Sequence, residues 1–146
     1  MDNLHYYETN LEWNTGRQGT LSAPGFNEIV VATPPEFKGG IAGLWSPEHL
    51  FVASANVCLM TTFLAIAENS KLDYVSYKSS GKGKLEKVDG VVSITEIELS
   101  PEIIVKEEKD IERAGRIIEK AEHHCLVSNS MKTKIILTPV IKLLAE

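Results

Sequence analysis

The sequence predicts an α+β fold of antiparallel sheets with two long helices, one of them central and buried. Two long stretches have the apolar content or spacing of helices, whereas six shorter stretches have strand character and mostly follow one another through turns. Strands that pair as hairpins favour an α+β fold over a wound parallel sheet. The chain has 146 residues, of which 43% are apolar and 24% charged, so we expect a single globular domain over residues 1–146.

The N-terminal part is expected to form three strands and a long loop. Apolar and polar residues alternate over residues 7–13, which is the period of a half-buried strand. A turn then leads to further strands near residues 18–21 and 28–33. Two consecutive prolines end the last of these strands, and three glycines follow, so residues 34–45 are predicted to be a loop.

A helix is predicted to begin at Ser46 and to run to about Asn69. Ser46 can cap the helix, Pro47 suits its first position and Glu48 complements its positive end. The eighteen residues 50–67 carry no charge, which approaches the length of a membrane span. Polar residues interrupt this stretch, and a helix that is apolar on all sides is also typical of a buried central helix. We therefore expect a buried helix and no membrane.

Two strands are predicted over residues 74–87 and 91–105. Asp89-Gly90 lies between them and is typical of a tight hairpin turn. Pro101 lacks the N–H group that a strand residue donates to its neighbour, which predicts an edge position or a bulge there.

A second helix is predicted over residues 107–124, followed by a largely apolar strand over residues 132–144. One stripe of this helix is apolar, as in a helix that lies on a core. The stripe consists of Ile111, Ala114, Ile118 and Ala121. Four residues further it reaches Cys125, whose thiol is therefore expected to point inward.

Charge and cysteine content limit the classes of function. The formal net charge of −5 disfavours nucleic-acid binding, which needs clustered Lys and Arg. Two cysteines are too few for a disulfide-stabilised secreted scaffold, and residues 1–5 lack the layout of a signal peptide, so we expect a cytoplasmic protein. His123-His124-Cys125 contains zinc-ligand types, but adjacent helical residues point about 100° apart and no further ligand cluster is evident. No metal site is therefore expected.

The two cysteines allow two interpretations. Both Cys58 and Cys125 can be small buried hydrophobic residues, or they can form a redox pair of nucleophile and resolving thiol. Cys58 lies about three turns into its predicted helix, too far from the N-terminus for the helix dipole to lower its pKa much. A reactive Cys58 is therefore expected to need an Arg or Lys from a loop or turn, held by a carboxylate.

Three motifs occur in the order found in a known family. A Gly-Arg-x-Gly turn follows the first strand at residues 16–19. Pro-Glu-x-Leu at residues 47–50 opens a helix of small residues, and Cys58 lies ten positions after Glu48. Cys-x-x-Ser at residues 125–128 follows the second helix. In this combination, and in the run 33–40, the chain resembles the osmotically inducible and organic hydroperoxide resistance proteins (OsmC/Ohr), although Leu126 stands where many members have proline.

The resemblance implies a thiol peroxidase. Cys58 would be the peroxidatic thiolate that reduces an organic hydroperoxide to an alcohol, and Cys125 would condense with the resulting sulfenic acid to form a disulfide. An external dithiol would then reduce this disulfide. Arg17 would stabilise the Cys58 thiolate, with Glu48 orienting the guanidinium. The family uses no metal, haem or flavin, and its members are intertwined homodimers with active sites at the subunit interface.

Helix geometry adds a constraint to this implied site. Glu48 and Cys58 are ten residues apart in one predicted helix, a rise of about 15 Å. A glutamate side chain cannot cross that distance, so Glu48 of a second copy, on an antiparallel helix, is expected near Cys58. We therefore expect the site to be completed across a dimer.

Two other classes of function stay open. A non-catalytic OsmC-like protein would bind an apolar small molecule and have inert cysteines, whereas a metal-binding domain would hold zinc. Counting free thiols after addition of a hydroperoxide, and measuring the zinc content of the purified protein, distinguish both from a peroxidase.

Overall fold

A computed structural model of the chain describes residues 4–145. The expectations for residues 1–3, which belong to the signal-peptide argument, lie outside the described residues. The chain divides into two compact units between Leu50 and Phe51. The elements in chain order are β1 (Asn10–Thr15), β2 (Gln18–Ser22), β3 (Ile29–Ala32), α1 (Pro47–Asn69), β4 (Ser76–Val88), β5 (Val91–Val105), α2 (Lys109–His123), α3 (Leu126–Asn129), β6 (Lys134–Leu137) and β7 (Val140–Leu143).

The first unit contains the three strands expected for this part of the chain, and they form one antiparallel sheet in the order β1-β2-β3. One expectation for β1 is wrong for the single chain. We expected a half-buried strand, but all six residues of β1 are exposed, and the apolar side chains of Leu11 and Trp13 are 70% and 72% exposed. Alternation correctly predicted a strand, but no other element of this unit covers its apolar face.

Helix α1 begins and ends where the sequence predicts. The Ser46 hydroxyl accepts a hydrogen bond from the His49 N–H at 3.1 Å, and Pro47 is the first helical residue. This is the usual capping arrangement, in which a serine oxygen satisfies an N–H that has no partner within the helix. The helix then runs without interruption to Asn69.

The expected burial of α1 on all sides is not found within the single chain. Its buried residues form one stripe, and Val57, on another face, is 54% exposed. In its most apolar window 22% of the residues are buried. By length and composition α1 could also cross a membrane, which is weak evidence because core helices meet the same criteria. The buried stripe consists of Ala55, Cys58, Leu59, Phe63 and Ala67.

The sheet of the second unit is mixed. Strands β4 and β5 form the predicted hairpin, and both Asp89 and Gly90 have positive φ angles, of 51° and 80°, as a tight turn of this kind requires. The single final strand that we predicted is instead two strands, β6 and β7, which both pair with β5 in parallel. Thr138-Pro139 separates them, because proline interrupts the backbone pairing.

Pro101 occupies neither an edge strand nor a bulge, and our prediction for it is wrong. It pairs with Ser79 of β4 in the middle of the sheet. On the other side of β5, β6 pairs as far as Leu99 and β7 begins to pair at Glu102. The Leu99 carbonyl accepts a hydrogen bond from the Thr138 N–H at 2.9 Å. Because Leu99 lies two residues before Pro101, the backbone groups of both residues face the same side of the strand. The missing N–H thus faces the gap between two partner strands.

The core of the second unit lies between residues of α1, β5 and α2. Helix α2 carries the predicted apolar stripe, of which Ala114, Ile118 and Ala121 are fully buried and Ile111 is partly buried. On its exposed face, Arg116 Nη1 lies 2.9 Å from Glu112 Oε1.

Two glycines of β4 allow α1 to approach the sheet closely. A Cβ atom at Gly83 would lie 2.6 Å from Val52 Cγ2, and one at Gly81 would lie 3.1 Å from Val52 Cγ1. One turn further along α1, Asn56 Oδ1 accepts a hydrogen bond from the Ser79 hydroxyl at 2.6 Å. These contacts fix the half of α1 that carries Cys58 against the strand.

Candidate functional site

Cys58 lies in the middle of α1, on the stripe that faces the core of the second unit. Its side chain is buried and is a free thiol. Thr62 follows one turn later on the same face, and its Oγ1 atom lies 3.9 Å from Cys58 Sγ. A nucleophile in a helix interior has a fixed backbone, because its own N–H and carbonyl are part of the helix.

Cys125 lies where the chain leaves α2 and enters the short helix α3. Its backbone is extended, with φ −67° and ψ 111°, and it occupies the N-cap position of α3. The side chain is fully buried, which confirms the expectation that this thiol points inward. The turn at residues 124–125 therefore points the Cys125 side chain inward and leaves the first N–H groups of α3 close to Cys58.

Cys58 and Cys125 influence each other's pKa. Burial raises the pKa of Cys58, but hydrogen bonds from the Cys125 thiol, the Val127 N–H, the Thr62 hydroxyl and the Leu126 N–H outweigh it and leave the pKa lowered. All four donors favour the negatively charged form of the sulfur. These contacts therefore favour the thiolate form of Cys58.

The same contact acts in the opposite direction on Cys125. Burial raises its pKa, and its hydrogen bond to Cys58 raises it further, whereas contacts with the side chain and N–H of Ser128 lower it less. Loss of the proton is therefore favoured at Cys58 and disfavoured at Cys125.

The environment of Cys58 includes donors that the sequence did not indicate. Within the second unit, hydrogen bonds lower the pKa of Cys58, and the expected need for an Arg or Lys stays a prediction. The contributing residues Thr62, Leu126 and Val127 were not found from the sequence. Thr62 could have been found from its i,i+4 spacing to Cys58, whereas the two N–H groups could not, because they depend on how α3 meets α1.

Tyr77 of β4 is a further neighbour of the pair that the sequence did not indicate. Its ring packs against Phe63 of α1, with ring centroids 5.2 Å apart. Burial raises the pKa of the Tyr77 hydroxyl, contact with the Ser79 side chain lowers it in part, and the nearby Cys125 adds to the rise. Tyr77 is therefore a neutral, partly buried residue close to Cys125.

Arg17 lies in the first unit, at the turn between β1 and β2. Its side chain is exposed and lies over Gly39 of the glycine-rich loop: a Cβ atom at Gly39 would lie 2.9 Å from Arg17 Cγ and 3.1 Å from Arg17 Nε. Gly39 also has a φ angle of 79°, which disfavours other residues. The absence of a side chain at Gly39 thus leaves room for the arginine.

Glu48 lies in the first turn of α1, as the sequence predicts. Its Oε1 atom is buried and has no hydrogen-bond partner among the described residues. No ion pair joins Glu48 to Arg17 within residues 4–145, so the predicted carboxylate–guanidinium pair is not formed inside one chain. A buried, unpaired carboxylate oxygen is costly and favours a cationic partner.

Over the same residues, no group of three or more His, Cys, Asp or Glu side chains could hold a metal ion. His123 and His124 are exposed, and their rings pack edge to face with centroids 5.2 Å apart. These histidines and the buried Cys125 do not form a common ligand set.

Comparison with known proteins supports the same family as the motifs. Residues 40–139 match the family model described as OsmC-like protein. The uncharacterized protein YmaD of Bacillus subtilis is 24% identical over 137 residues, which cover 92% of this chain and 90% of that protein.

Solved structures share the fold. An OsmC-like protein of unknown function from Vibrio cholerae superposes with a TM-score of 0.85 at 21% identity, over 94% of this chain and 100% of that chain. An organic hydroperoxide resistance protein from Elizabethkingia anophelis gives a TM-score of 0.77 at 24% identity, over 99% and 100% of the two chains. The α+β fold predicted from the sequence is confirmed. Because the family model matches most of the chain, the protein belongs to the OsmC-like family.

Proposed function

We propose that this protein is a thiol peroxidase that reduces organic hydroperoxides to alcohols. Proteins of the same fold include ones named organic hydroperoxide resistance proteins. The observation that carries the proposal is a pair of buried cysteines whose mutual interaction shifts their pKa values in opposite directions. A peroxidatic cysteine needs to be a thiolate, and a resolving cysteine needs to lie beside it.

The first step transfers one oxygen atom. The Cys58 thiolate attacks the O–O bond of the hydroperoxide, an S–O bond forms, and the O–O bond breaks. The leaving alkoxide takes up a proton and departs as the alcohol. Sulfur is oxidised by two electrons to the sulfenic acid Cys58–SOH, and the peroxide is reduced by the same two electrons.

The second step closes a disulfide. The Cys125 sulfur attacks the sulfur of Cys58–SOH, an S–S bond forms, and the oxygen leaves as water with the proton of the Cys125 thiol. An external dithiol then reduces the disulfide by thiol–disulfide exchange and is itself oxidised to a disulfide. No metal, haem or flavin takes part in this proposed cycle.

Arg17 is proposed to stabilise the Cys58 thiolate and to polarise the peroxide, with Glu48 orienting its guanidinium. The buried, unpaired Oε1 atom of Glu48 supports a guanidinium partner for this carboxylate. Arg17 is exposed at a turn, so its guanidinium is accessible to a substrate.

A homodimer with active sites at the subunit interface is proposed for two reasons. Glu48 has no cationic partner among residues 4–145, and α1 leaves Val57 exposed on an apolar helix. A second copy of α1, running antiparallel, would cover this face and bring its own Glu48 toward Cys58. We also propose a cytoplasmic location, which is supported by the two free thiols.

Thiol counting tests the proposed function. After a slight excess of cumene hydroperoxide is added to the reduced protein, we expect both thiols to be lost and then recovered on addition of dithiothreitol. Cys58→Ser should keep its remaining thiol and show no turnover. Cys125→Ser should react once and then overoxidise, because no second thiol traps the sulfenic acid.

A non-catalytic small-molecule binder would give a different result in the same experiment. Unchanged thiols in the wild-type protein would favour a small-molecule binder with inert cysteines. Loss of thiols in Cys58→Ser at the wild-type rate would show that Cys125 is the nucleophile, contrary to the assignment made here.

A further inference from the structure

Thr62 makes a contact that a helical threonine does not ordinarily make. In a helix interior, a threonine hydroxyl commonly bonds to a backbone carbonyl three or four residues earlier. The hydroxyl of Thr62 instead lies 3.9 Å from Cys58 Sγ, within hydrogen-bond distance for sulfur. It is thus directed at the sulfur atom of the residue one turn earlier.

The neighbouring Thr61 shows the ordinary arrangement. Its hydroxyl donates to the Cys58 carbonyl oxygen at 3.1 Å, and its side chain is exposed. The two threonines therefore have the same chemistry and are adjacent in the chain, yet only one contacts the sulfur. Thr61 is a natural control for Thr62.

We propose that Thr62 is a further catalytic residue, whose hydroxyl donates a hydrogen bond to the Cys58 sulfur and holds it as the thiolate. This inference rests on the proposed function, in which Cys58 is the nucleophile. Thr62 supplies this donor from the same helix as the nucleophile, so the contact requires no movement of another element. It adds a side-chain donor to the backbone N–H groups of Leu126 and Val127.

The electrostatics of the site agree with the geometry. The Thr62 hydroxyl is one of the groups that lower the pKa of Cys58 against the effect of burial. A hydroxyl next to a buried sulfur anion replaces part of the hydration that the anion has lost. The contact therefore acts on the charged form more than on the neutral thiol.

The test is the pH dependence of Cys58 alkylation by iodoacetamide in the full chain, with peptide mass spectrometry to separate Cys58 from Cys125. Thr62→Val removes the hydroxyl and keeps the shape, and we expect its alkylation midpoint to move to higher pH. Below both midpoints the rate should fall by about threefold to tenfold, the effect of one hydrogen bond. Thr62→Ser should restore the wild-type midpoint, and Thr61→Val should leave it unchanged.

The midpoint distinguishes this role from a structural one, since a packing defect alone does not predict rescue by serine. If Thr62→Val folds poorly, Thr62→Ala provides a second variant that lacks the hydroxyl. An unchanged midpoint in the valine or alanine variant, or an equal shift in Thr61→Val, would overturn the proposal. No peroxide is used, so failure of the peroxidase proposal would appear separately, as thiols that survive hydroperoxide in the wild-type protein.

Discussion

Cys58 and Cys125 have the same side chain in two environments, and the environments separate their chemistry. Donors from Cys125, Thr62 and α3 lower the pKa of Cys58, whereas burial and the interaction with Cys58 raise the pKa of Cys125. The sequence identified both residues but could not place the donors, because tertiary contact brings α3 to α1. The i,i+4 relation of Thr62 to Cys58 was the only local signal among these donors.

The lowered pKa of Cys58 fixes the direction of the pH dependence. Its thiolate is formed as the pH rises through a midpoint below the ordinary value of 9.0, and it is lost as the pH falls through that midpoint. The rate of reaction with a hydroperoxide should therefore rise with pH and level off before 9.0. Cys125, with its raised pKa, should remain protonated over the same range.

Arg17 provides the prediction at the residue scale. If its guanidinium stabilises the thiolate as proposed, Arg17→Ala should raise the pKa of Cys58 and slow the reaction at neutral pH by about tenfold or more, because a nearby opposite charge shifts a pKa by at least about one unit. Stopped-flow measurement of hydroperoxide reduction against pH gives both quantities. Lys38→Ala removes another cation, next to Gly39, and should change neither the pKa of Cys58 nor the reaction rate. A rate in Arg17→Ala equal to the wild-type rate would mean that hydrogen bonds alone activate Cys58.

At the scale of elements, local signals predicted most boundaries correctly. The Ser46-Pro47 cap, the Asp89-Gly90 turn and the apolar stripe of α2 all lie where the sequence indicated. The errors concern pairing between elements that are distant in sequence. The gap opposite Pro101 and the parallel pairing of β6 and β7 with β5 both arise after the chain crosses over through α2, and no local pattern specifies them.

Helix α3 allows a prediction about a single backbone N–H. The Leu126 N–H is one of the donors to Cys58, and Leu126 is the first residue of α3. Proline is tolerated at a first helical position but has no N–H. Leu126→Pro should therefore keep the fold and raise the pKa of Cys58, with alkylation at neutral pH slowed by about threefold to tenfold.

Leu126→Ala is the control for this change. It shortens the same exposed side chain but keeps the N–H, so its alkylation midpoint should match that of the wild-type protein. Equal midpoints in the proline and alanine variants would show that this N–H does not act on Cys58.

At the scale of the whole molecule, the single chain leaves apolar surface exposed in each unit. Leu11 and Trp13 are exposed on β1, and Val57 is exposed on α1. From their periodicity and apolar content we predicted that these residues are buried, but within one chain they are exposed. Periodicity indicates that a face is buried, but it does not specify whether the same chain or a second copy buries it.

The proposed dimer is tested by its mass in solution. Light scattering coupled to size exclusion should give twice the chain mass of 16.1 kDa. Val57→Asp places a charge on the exposed face of α1 and should shift the mass toward the monomer and reduce peroxidase activity. Glu68→Gln, which removes a charge from an exposed position of the same helix, should do neither. A fully active wild-type monomer would contradict the shared site.

In the proposed cycle, Cys58 and Cys125 form a disulfide when a hydroperoxide is reduced. Reduced protein treated with one equivalent of cumene hydroperoxide, then alkylated and digested without reductant, should yield one peptide pair joined through Cys58 and Cys125, together with one equivalent of the alcohol. Formation of the alcohol without this linked pair, or two unmodified thiols after the treatment, would rule out the proposed cycle.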